Sequence, residues 1–401
     1  MSVALGPARW LSRQRGAPAA AAAGCARRRT QQALLELVRV DAISRLDFSN
    51  PQVFEGLDWP YLLELAYREG MAPLVHHTLA STGLAARGDT QARRFSYLYN
   101  LTRRHNAGAA EQLREALLRL ESEGIEAIVL KGAALMGRVY PDPGLRPFAD
   151  IDILVRDRNI SRAHQVLVDL GYGLNYQGKP ITAPSQTDLT YRSARQYFRR
   201  DANYLSIDLY WRLARYPYLV PLDYEDLWRR AQRVTLSGTP ALVLSTEDAV
   251  LHHSLDFTLG LVYGQPELKS LRDIAEIAHR QDVDWDALAS RAGRTALAAP
   301  IYCTCALARE MLGAPVPQGA PEAMYPGAAR RKSWVLGRLE GGIFGGGHPL
   351  KYLLMVALMR LAGPESYWSK AKWLARLAAP PRDLWGSVPG TLKRVLLGKP
   401  G

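Results

Sequence analysis

Residues 146–155 read RPFADIDILV, a stretch that sets two carboxylates into an apolar run. Alternation of Asp150 and Asp152 with Ile151 and Ile153 predicts a β-strand, because residues two apart in a strand share a face. The two aspartates, with Cα atoms roughly 6.5–7 Å apart, therefore point to one side and the isoleucines to the packed side. Two adjacent carboxylates repel each other, and a divalent cation such as Mg²⁺ relieves that repulsion. A cation site is one interpretation of the pair, and a solvated strand end is the other.

Two further segments extend this interpretation. Upstream, the β-rich run IEAIVL at 125–130 leads into Lys131-Gly132 and a helical run at 133–140, closed by the turn PDPG at 141–144. The glycine lets a ligand approach the backbone, the helix start offers N–H groups to a phosphate, and Lys131 adds a cation. Arg146 either reaches a triphosphate or is an ordinary surface arginine.

Downstream, Asp208 is the acid within the alternating strand NYLSIDLYWRL at 203–213. A third carboxylate on a neighbouring strand would complete a two-metal site. Arg212 pairs either with a site aspartate or with a structural partner. His252 and His253 with Asp256 lack further metal ligands and are interpreted as ordinary helix residues.

The flanking sequence is helical on both sides of this β-containing centre. Apolar periodicity predicts helices over 31–48, 59–83 and 91–123, a further helix over 160–171, and helices again from about 245. Lys269 and Arg272 precede a helix that could cover a nucleotide, and Asp273 beside them is expected to cap or pair structurally.

The charge distribution argues against a nucleic-acid enzyme. The formal net charge is +13, of which residues 1–30 hold +6 and residues 330–401 hold +10, so that residues 31–329 carry −3. Nucleic-acid enzymes usually carry their basic surface on the catalytic body. The basic tail with Trp334, Trp368, Trp373 and Trp385 either packs on the body or lies on an anionic membrane surface.

Composition and cysteine content indicate what to expect of disulfides, membrane spans and targeting segments. Three cysteines, at positions 25, 303 and 305, do not make a disulfide framework and suggest a reducing compartment. The sequence has no run of eighteen apolar residues, so no membrane-spanning helix is expected. The Arg- and Ala-rich residues 1–30 resemble a targeting peptide only superficially, and a disordered tail or a start codon assigned too far upstream is expected instead.

The segment VLKGAALMGRVYPDPGLRPFADIDILV resembles the core motif of the uncharacterised nucleotidyltransferase family, within the DNA polymerase β-type superfamily. IDLYWRL resembles that family's downstream strand, with Tyr210 where histidine is common. The resemblance is strong over about 120–215 and looser over 50–110 and 240–330. The wider superfamily has Gly-Ser or Gly-Gly where this chain has Lys131-Gly132-Ala133.

The resemblance implies an α+β fold, with a small mixed β-sheet nucleotidyltransferase core flanked by N-terminal and C-terminal helical lobes. It implies two Mg²⁺ ions and an NTP donor, with Asp150 and Asp152 as metal ligands and Asp208 as third carboxylate and candidate base. Lys131, Gly132 and Arg146 are the expected nucleotide-binding residues. The predicted parts are a disordered basic tail (1–30), an N-terminal helical region (31–110), the core (111–238), a C-terminal helical domain (239–329) and a basic, Trp-containing tail (330–401).

The function predicted from these features is Mg²⁺-dependent transfer of a nucleoside monophosphate to an unknown small-molecule, glycan or peptide acceptor. A natural-product or cell-envelope polysaccharide pathway would suit such an activity. A kinase using the same metal site and a non-catalytic nucleotide-binding scaffold remain alternatives. The expected location is cytoplasmic, with peripheral contact at the inner face of the membrane if the tail binds lipid.

Overall fold

A computed structural model describes residues 17–45, 56–81, 90–201, 204–214, 222–262, 268–294 and 297–324. The tryptophan-containing tail at 330–401 lies outside the described residues, as do residues 1–16. Within the described ranges, no helix combines the length and apolar character needed to cross a membrane.

The helices are α1 (Ala17–Leu37), α2 (Ala42–Arg45), α3 (Trp59–Arg68), α4 (Ala72–Ser81), α5 (Thr90–Ser122), α6 (Lys131–Leu135), α7 (Ile160–Asp169), α8 (Gln186–Tyr191), α9 (Tyr224–Arg230), α10 (Thr246–Val262), α11 (Leu268–Arg280), α12 (Trp285–Arg294), α13 (Ala298–Leu312) and α14 (Ala320–Met324). The strands are β1 (Ala127–Val129), β2 (Asp150–Val155), β3 (Ala194–Tyr197), β4 (Ser206–Tyr210), β5 (Gln232–Leu236) and β6 (Thr239–Val243).

The six strands form one mixed sheet in the order β3-β4-β2-β1-β6-β5. Strand β2 runs parallel to β4 and antiparallel to β1, while β1 runs parallel to β6. Strands β3 and β5 close the two edges as antiparallel partners of β4 and β6. The mixed sheet among helices confirms the α+β prediction.

Alternation along β2 and β4 separates a packed face from a polar face. Ile151, Ile153, Ile207 and Leu209 are fully buried in a core that also holds apolar residues of α5 and α7. The apolar side of the amphipathic helix α5 covers this packed face of the sheet. This agrees with the prediction of one long amphipathic helix over 91–123. The opposite face of the same strands carries the aspartates, beside a smaller apolar cluster that includes Trp228 of α9.

Helices from both ends of the described chain share a second and larger core. Apolar residues of α1, α3 and α4 pack with those of α10, α11 and α13, and α1 contacts α13 directly. The N-terminal and C-terminal helical regions therefore bury their apolar faces against each other beside the sheet.

Three local predictions differ from the structure. Residues 17–30 belong to α1, not to a disordered tail, because alanines favour helix and Thr30 is buried, its hydroxyl accepting a hydrogen bond from the Asp58 amide at 3.1 Å. The helix predicted at 133–140 is the shorter α6, which ends where Met136 becomes extended. The boundary predicted at 110/111 falls within α5, and β6 continues the sheet beyond the boundary at 238/239.

Candidate functional site

Three aspartates converge on the polar face of the sheet. Asp152 of β2 is the direct register partner of Asp208 on the parallel strand β4, and Asp150 is paired with Ser206 two residues earlier. The period of two in each strand therefore directs all three carboxylates to the same face. Their nearest ligand oxygens lie within 4.8 Å of one another, so the three residues could together hold a metal ion.

Burial and repulsion between charges raise the pKa of two of these carboxylates, Asp152 and Asp208. Burial, together with the charge of Asp150 and against the opposing effect of Lys131, raises the pKa of Asp152 to about 6. Burial and repulsion from Asp152 and Asp150 together raise the pKa of Asp208 to about 7. A low-dielectric site that crowds like charges needs a compensating cation.

The donor set fits a hard divalent cation. All three groups are carboxylates, the ligand type that Mg²⁺ and related ions prefer. The Oδ1 atom of Asp208 is buried and has no hydrogen-bond partner among the residues that the structure describes, an arrangement that costs free energy unless a ligand meets it. The residues present therefore suit the metal that the family resemblance implies.

Lys131 lies beside Asp152 at the centre of a charged cluster. Its Nζ atom is 3.1 Å from Asp152 Oδ1 and 3.7 Å from Asp256 Oδ2, and it donates a 2.9 Å hydrogen bond to the Tyr210 hydroxyl. Burial lowers the pKa of Lys131, but Asp256 and Asp152 outweigh that effect and hold it well above its ordinary value. Lys131 thus provides one fixed positive charge against the aspartates.

The backbone of Lys131 is strained, with a φ of 50° that non-glycine residues rarely adopt. Such a conformation costs of order 1–3 kcal/mol and persists where the surroundings hold it in place. The contacts of the Lys131 side chain with Asp152, Asp256 and Tyr210 are the restraints that the structure shows at this position.

Gly132 makes room for Phe148 rather than leaving an open cradle. A Cβ atom at Gly132 would lie 2.7 Å from Phe148 Cβ and 3.0 Å from Phe148 Cγ. The predicted role of Gly132 in nucleotide binding remains a prediction, because this close packing accounts for the glycine by itself.

Gly132→Ala is expected to destabilise the protein by about 1–3 kcal/mol, because the added methyl group overlaps a buried ring. Equilibrium unfolding in urea would measure the change. Gly108→Ala in the middle of α5 is the matched control, since its added Cβ would lie more than 4 Å from every other described part of the chain apart from the helix's own backbone nearby, and alanine favours helix. Equal stability of the two variants would contradict the packing argument.

Arg146, predicted to bind a nucleotide, contacts α11 in the structure, and its nucleotide-binding role stays a prediction. Its guanidinium is buried and donates to Asp273 of α11, with Nε 2.8 Å from Oδ1 and Nη2 2.6 Å from Oδ2. Tyr140 donates to the same Oδ1 at 3.0 Å, and His253 Nδ1 lies 3.6 Å from Oδ2. The described contacts of Arg146 therefore anchor the segment before β2 to α11.

Other residues singled out from the sequence have structural partners. Arg212 pairs with Asp157, not with a site aspartate, and its guanidinium lies 4.8 Å from the centre of the Tyr224 ring. Arg272 lies inside α11, where it is buried and pairs with Glu276, and it is therefore not placed to cover a nucleotide. Lys269 of α11 lines a cavity together with residues 147–149, which precede β2.

Asp256 is the site residue that sequence reasoning missed. It stands on α10, one turn after the buried His252, whose Nε2 atom is 4.0 Å from Asp256 Oδ2. Lys131 lowers the pKa of Asp256 against the opposing effect of burial. The signal in the sequence was a cluster of polar residues inside an otherwise apolar helix, which does not by itself reveal a partner 125 positions away.

A family model described as an uncharacterised nucleotidyltransferase matches residues 55–313, more than half of the chain. The chain belongs to this family. The match begins before α3, covers the whole sheet and ends after α13, so it includes the three aspartates, Lys131 and Asp256. It confirms the resemblance proposed from the motif at 129–155. No curated protein and no solved structure is significantly similar to the chain.

Proposed function

We propose that this family member is a Mg²⁺-dependent nucleotidyltransferase that moves a nucleoside monophosphate from an NTP to an acceptor hydroxyl. The observation that carries the proposal is the convergence of three carboxylates from the paired strands β2 and β4 within 4.8 Å. Membership in a nucleotidyltransferase family supports the reaction class.

In this proposal Asp150, Asp152 and Asp208 hold the metal. Two Mg²⁺ ions, when bound, neutralise phosphate charge and align the attacking and leaving oxygens. Asp208 also accepts the proton of the acceptor hydroxyl. The acceptor oxygen bonds to the α-phosphorus, the bond from the α-phosphorus to the bridging oxygen breaks, and pyrophosphate leaves.

Lys131 has two roles in the proposed reaction. Its ion pair with Asp152 orients that carboxylate, and its side chain is 24% exposed, so the ammonium group can also meet a phosphate oxygen. Gly132, directly after it, is proposed to lie along the same phosphates. Arg146 acts at a distance, by fixing the segment that leads into β2 through Asp273.

The test follows the label on the NTP. Purified protein with Mg²⁺ and a small-molecule extract or a lysate is given each NTP labelled at either the α- or the γ-phosphate. We expect the α-label to move to an acceptor and pyrophosphate to be released, and chelation with EDTA to stop both. Transfer of the γ-label would instead identify a kinase. A protein that binds neither Mg²⁺ nor nucleotide by calorimetry, with no label transferred, would support a scaffold.

A further inference from the structure

A fourth carboxylate, from a helix and not from the sheet, reaches the cluster of charges around Lys131. Asp256 of α10 faces the Lys131 ammonium group, with its Oδ2 atom 3.7 Å from Nζ. We propose that Asp256 is a positioning residue of the nucleotidyl transfer, which holds Lys131 in place for the phosphates of the NTP. The inference rests on the proposed function and gives Asp256 a role that acts through Lys131.

Asp256 does not belong to the group of carboxylates that could hold the metal. Among the residues that the structure describes, those close enough together to share one ion are Asp150, Asp152 and Asp208. The contact of Asp256 with this site is its ion pair with Lys131. An effect of Asp256 on the reaction is therefore expected to pass through that lysine.

The partners of Lys131 match the three N–H donors of an ammonium group. Its Nζ atom lies 3.1 Å from Asp152 Oδ1, 2.9 Å from the Tyr210 hydroxyl and 3.7 Å from Asp256. Once Asp152 is a metal ligand, the positive charge beside it weakens its pairing with Lys131. The donor that faces Asp152 then becomes available to a phosphate oxygen, while Asp256 and Tyr210 retain the ammonium group at the edge of the site.

Helix α10 gives Asp256 a fixed place beside the sheet. Leu255 and Phe257, its neighbours in the chain, are buried in the core that α10 shares with α11 and α13. A carboxylate on a packed helix is already oriented, so it can fix a long lysine side chain that would otherwise be free to turn. The larger helical core thus supports a charged group of the sheet site.

The sign of the effect separates positioning from a simple change of charge. Loss of a carboxylate near the site would by charge alone strengthen the binding of an anion, because it removes repulsion. If Asp256 holds Lys131 for phosphates, Asp256→Asn weakens that binding instead. Calorimetry with inorganic triphosphate and Mg²⁺ measures it, and we expect an affinity about tenfold lower than that of the wild-type protein. Asp256→Ser repeats the measurement if Asp256→Asn does not fold.

A double-mutant cycle tests whether Asp256 acts through Lys131. In a Lys131→Met background, Asp256→Asn has no ammonium group left to misplace, so it should lower the triphosphate affinity by less than about twofold. An equal loss in both backgrounds would overturn the proposal, because Asp256 would then act without Lys131. Unchanged or tighter binding in Asp256→Asn alone would overturn it as well.

Asp248→Asn is the matched control on the same helix. Asp248 is buried and pairs with Arg230 at 2.8 Å and with Arg291 at 3.3 Å. Its loss disturbs α10 without touching the described partners of Lys131, so the triphosphate affinity should match that of the wild-type protein even if urea unfolding shows a lower stability. An equal loss of affinity in Asp248→Asn would trace the effect to the packing of α10 and overturn the positioning role.

Label transfer from the NTP keeps this inference separate from the proposed function. If the role of Asp256 fails while the wild-type protein transfers the α-label and Asp152→Asn does not, the proposed function stands without it. A wild-type protein that transfers the α-label but does not bind triphosphate overturns the positioning role alone. A wild-type protein that does neither overturns both.

Discussion

Replacing Asp152 with asparagine is expected to reduce transfer of the α-labelled phosphate by at least about a thousandfold. Asp152 is buried, directly opposite Asp208 in the strand register, and 3.1 Å from the Lys131 ammonium group. Asparagine keeps the shape of the side chain but removes the charge that a metal ion requires. Label transfer from the NTP measures the loss, and calorimetry with Mg²⁺ alone should show weakened metal binding in the same variant.

The control for this experiment is Asp169→Asn. Asp169 ends α7, is exposed, and accepts a hydrogen bond from Gln165. The Asp169→Asn variant loses the same charge on α7, away from the polar face of the sheet, so its rate of label transfer should match that of the wild-type protein. Circular dichroism should show both variants folded. Full activity in Asp152→Asn would remove the carboxylates from the reaction, and equal losses in the two variants would point to a general charge effect.

Asp273→Ala is expected to lower the free energy of unfolding by about 3–5 kcal/mol, because it leaves the Arg146 guanidinium buried without its carboxylate. Asp273 is fully buried and Arg146 is nearly so. Urea unfolding measures the loss. The double variant Arg146→Met with Asp273→Leu, which removes both charges, should recover much of it. A double variant no more stable than Asp273→Ala would contradict an ion-pair origin.

The same pair predicts a pH dependence. Burial raises the pKa of Asp273, but Arg146 outweighs that effect and holds the pKa below its ordinary value. A carboxyl group with a lowered folded-state pKa stabilises the fold above its unfolded pKa, about 4, and loses that contribution as pH falls through the folded-state pKa. The stability gap between wild type and Asp273→Asn should therefore be full at neutral pH and shrink in acid. A gap that is constant with pH would contradict the assignment.

The two faces of β2, one with the carboxylates and one packed in the core, were predictable because they depend only on spacing within one strand. Asp150 and Asp152 alternate with isoleucines, and in a strand this alternation places the aspartates on one face and the isoleucines on the other. Asp208 was predictable as a candidate because it has the same alternation in a second strand. That β4 pairs with β2, in a register that sets Asp208 opposite Asp152, came from the tertiary structure.

The basic residues were harder to interpret, because a long charged side chain takes the partner that packing brings to it. Lys131 was expected to face phosphates and is held between Asp152 and Asp256. Arg146 was expected to reach a triphosphate and is paired with Asp273 on α11. Neither helix-borne aspartate can be linked to its partner from the sequence, since more than a hundred residues separate them.

By itself, the sequence determined the α+β class, the strand that bears the carboxylates and the family to which the chain belongs. Those features follow from local periodicity and from a contiguous motif. The tertiary structure alone decided how Lys131 is neutralised and what anchors the segment before β2. Both features depend on how α5, α10 and α11 pack beside the sheet. A buried charged group pairs with whichever partner that packing brings to hydrogen-bonding distance.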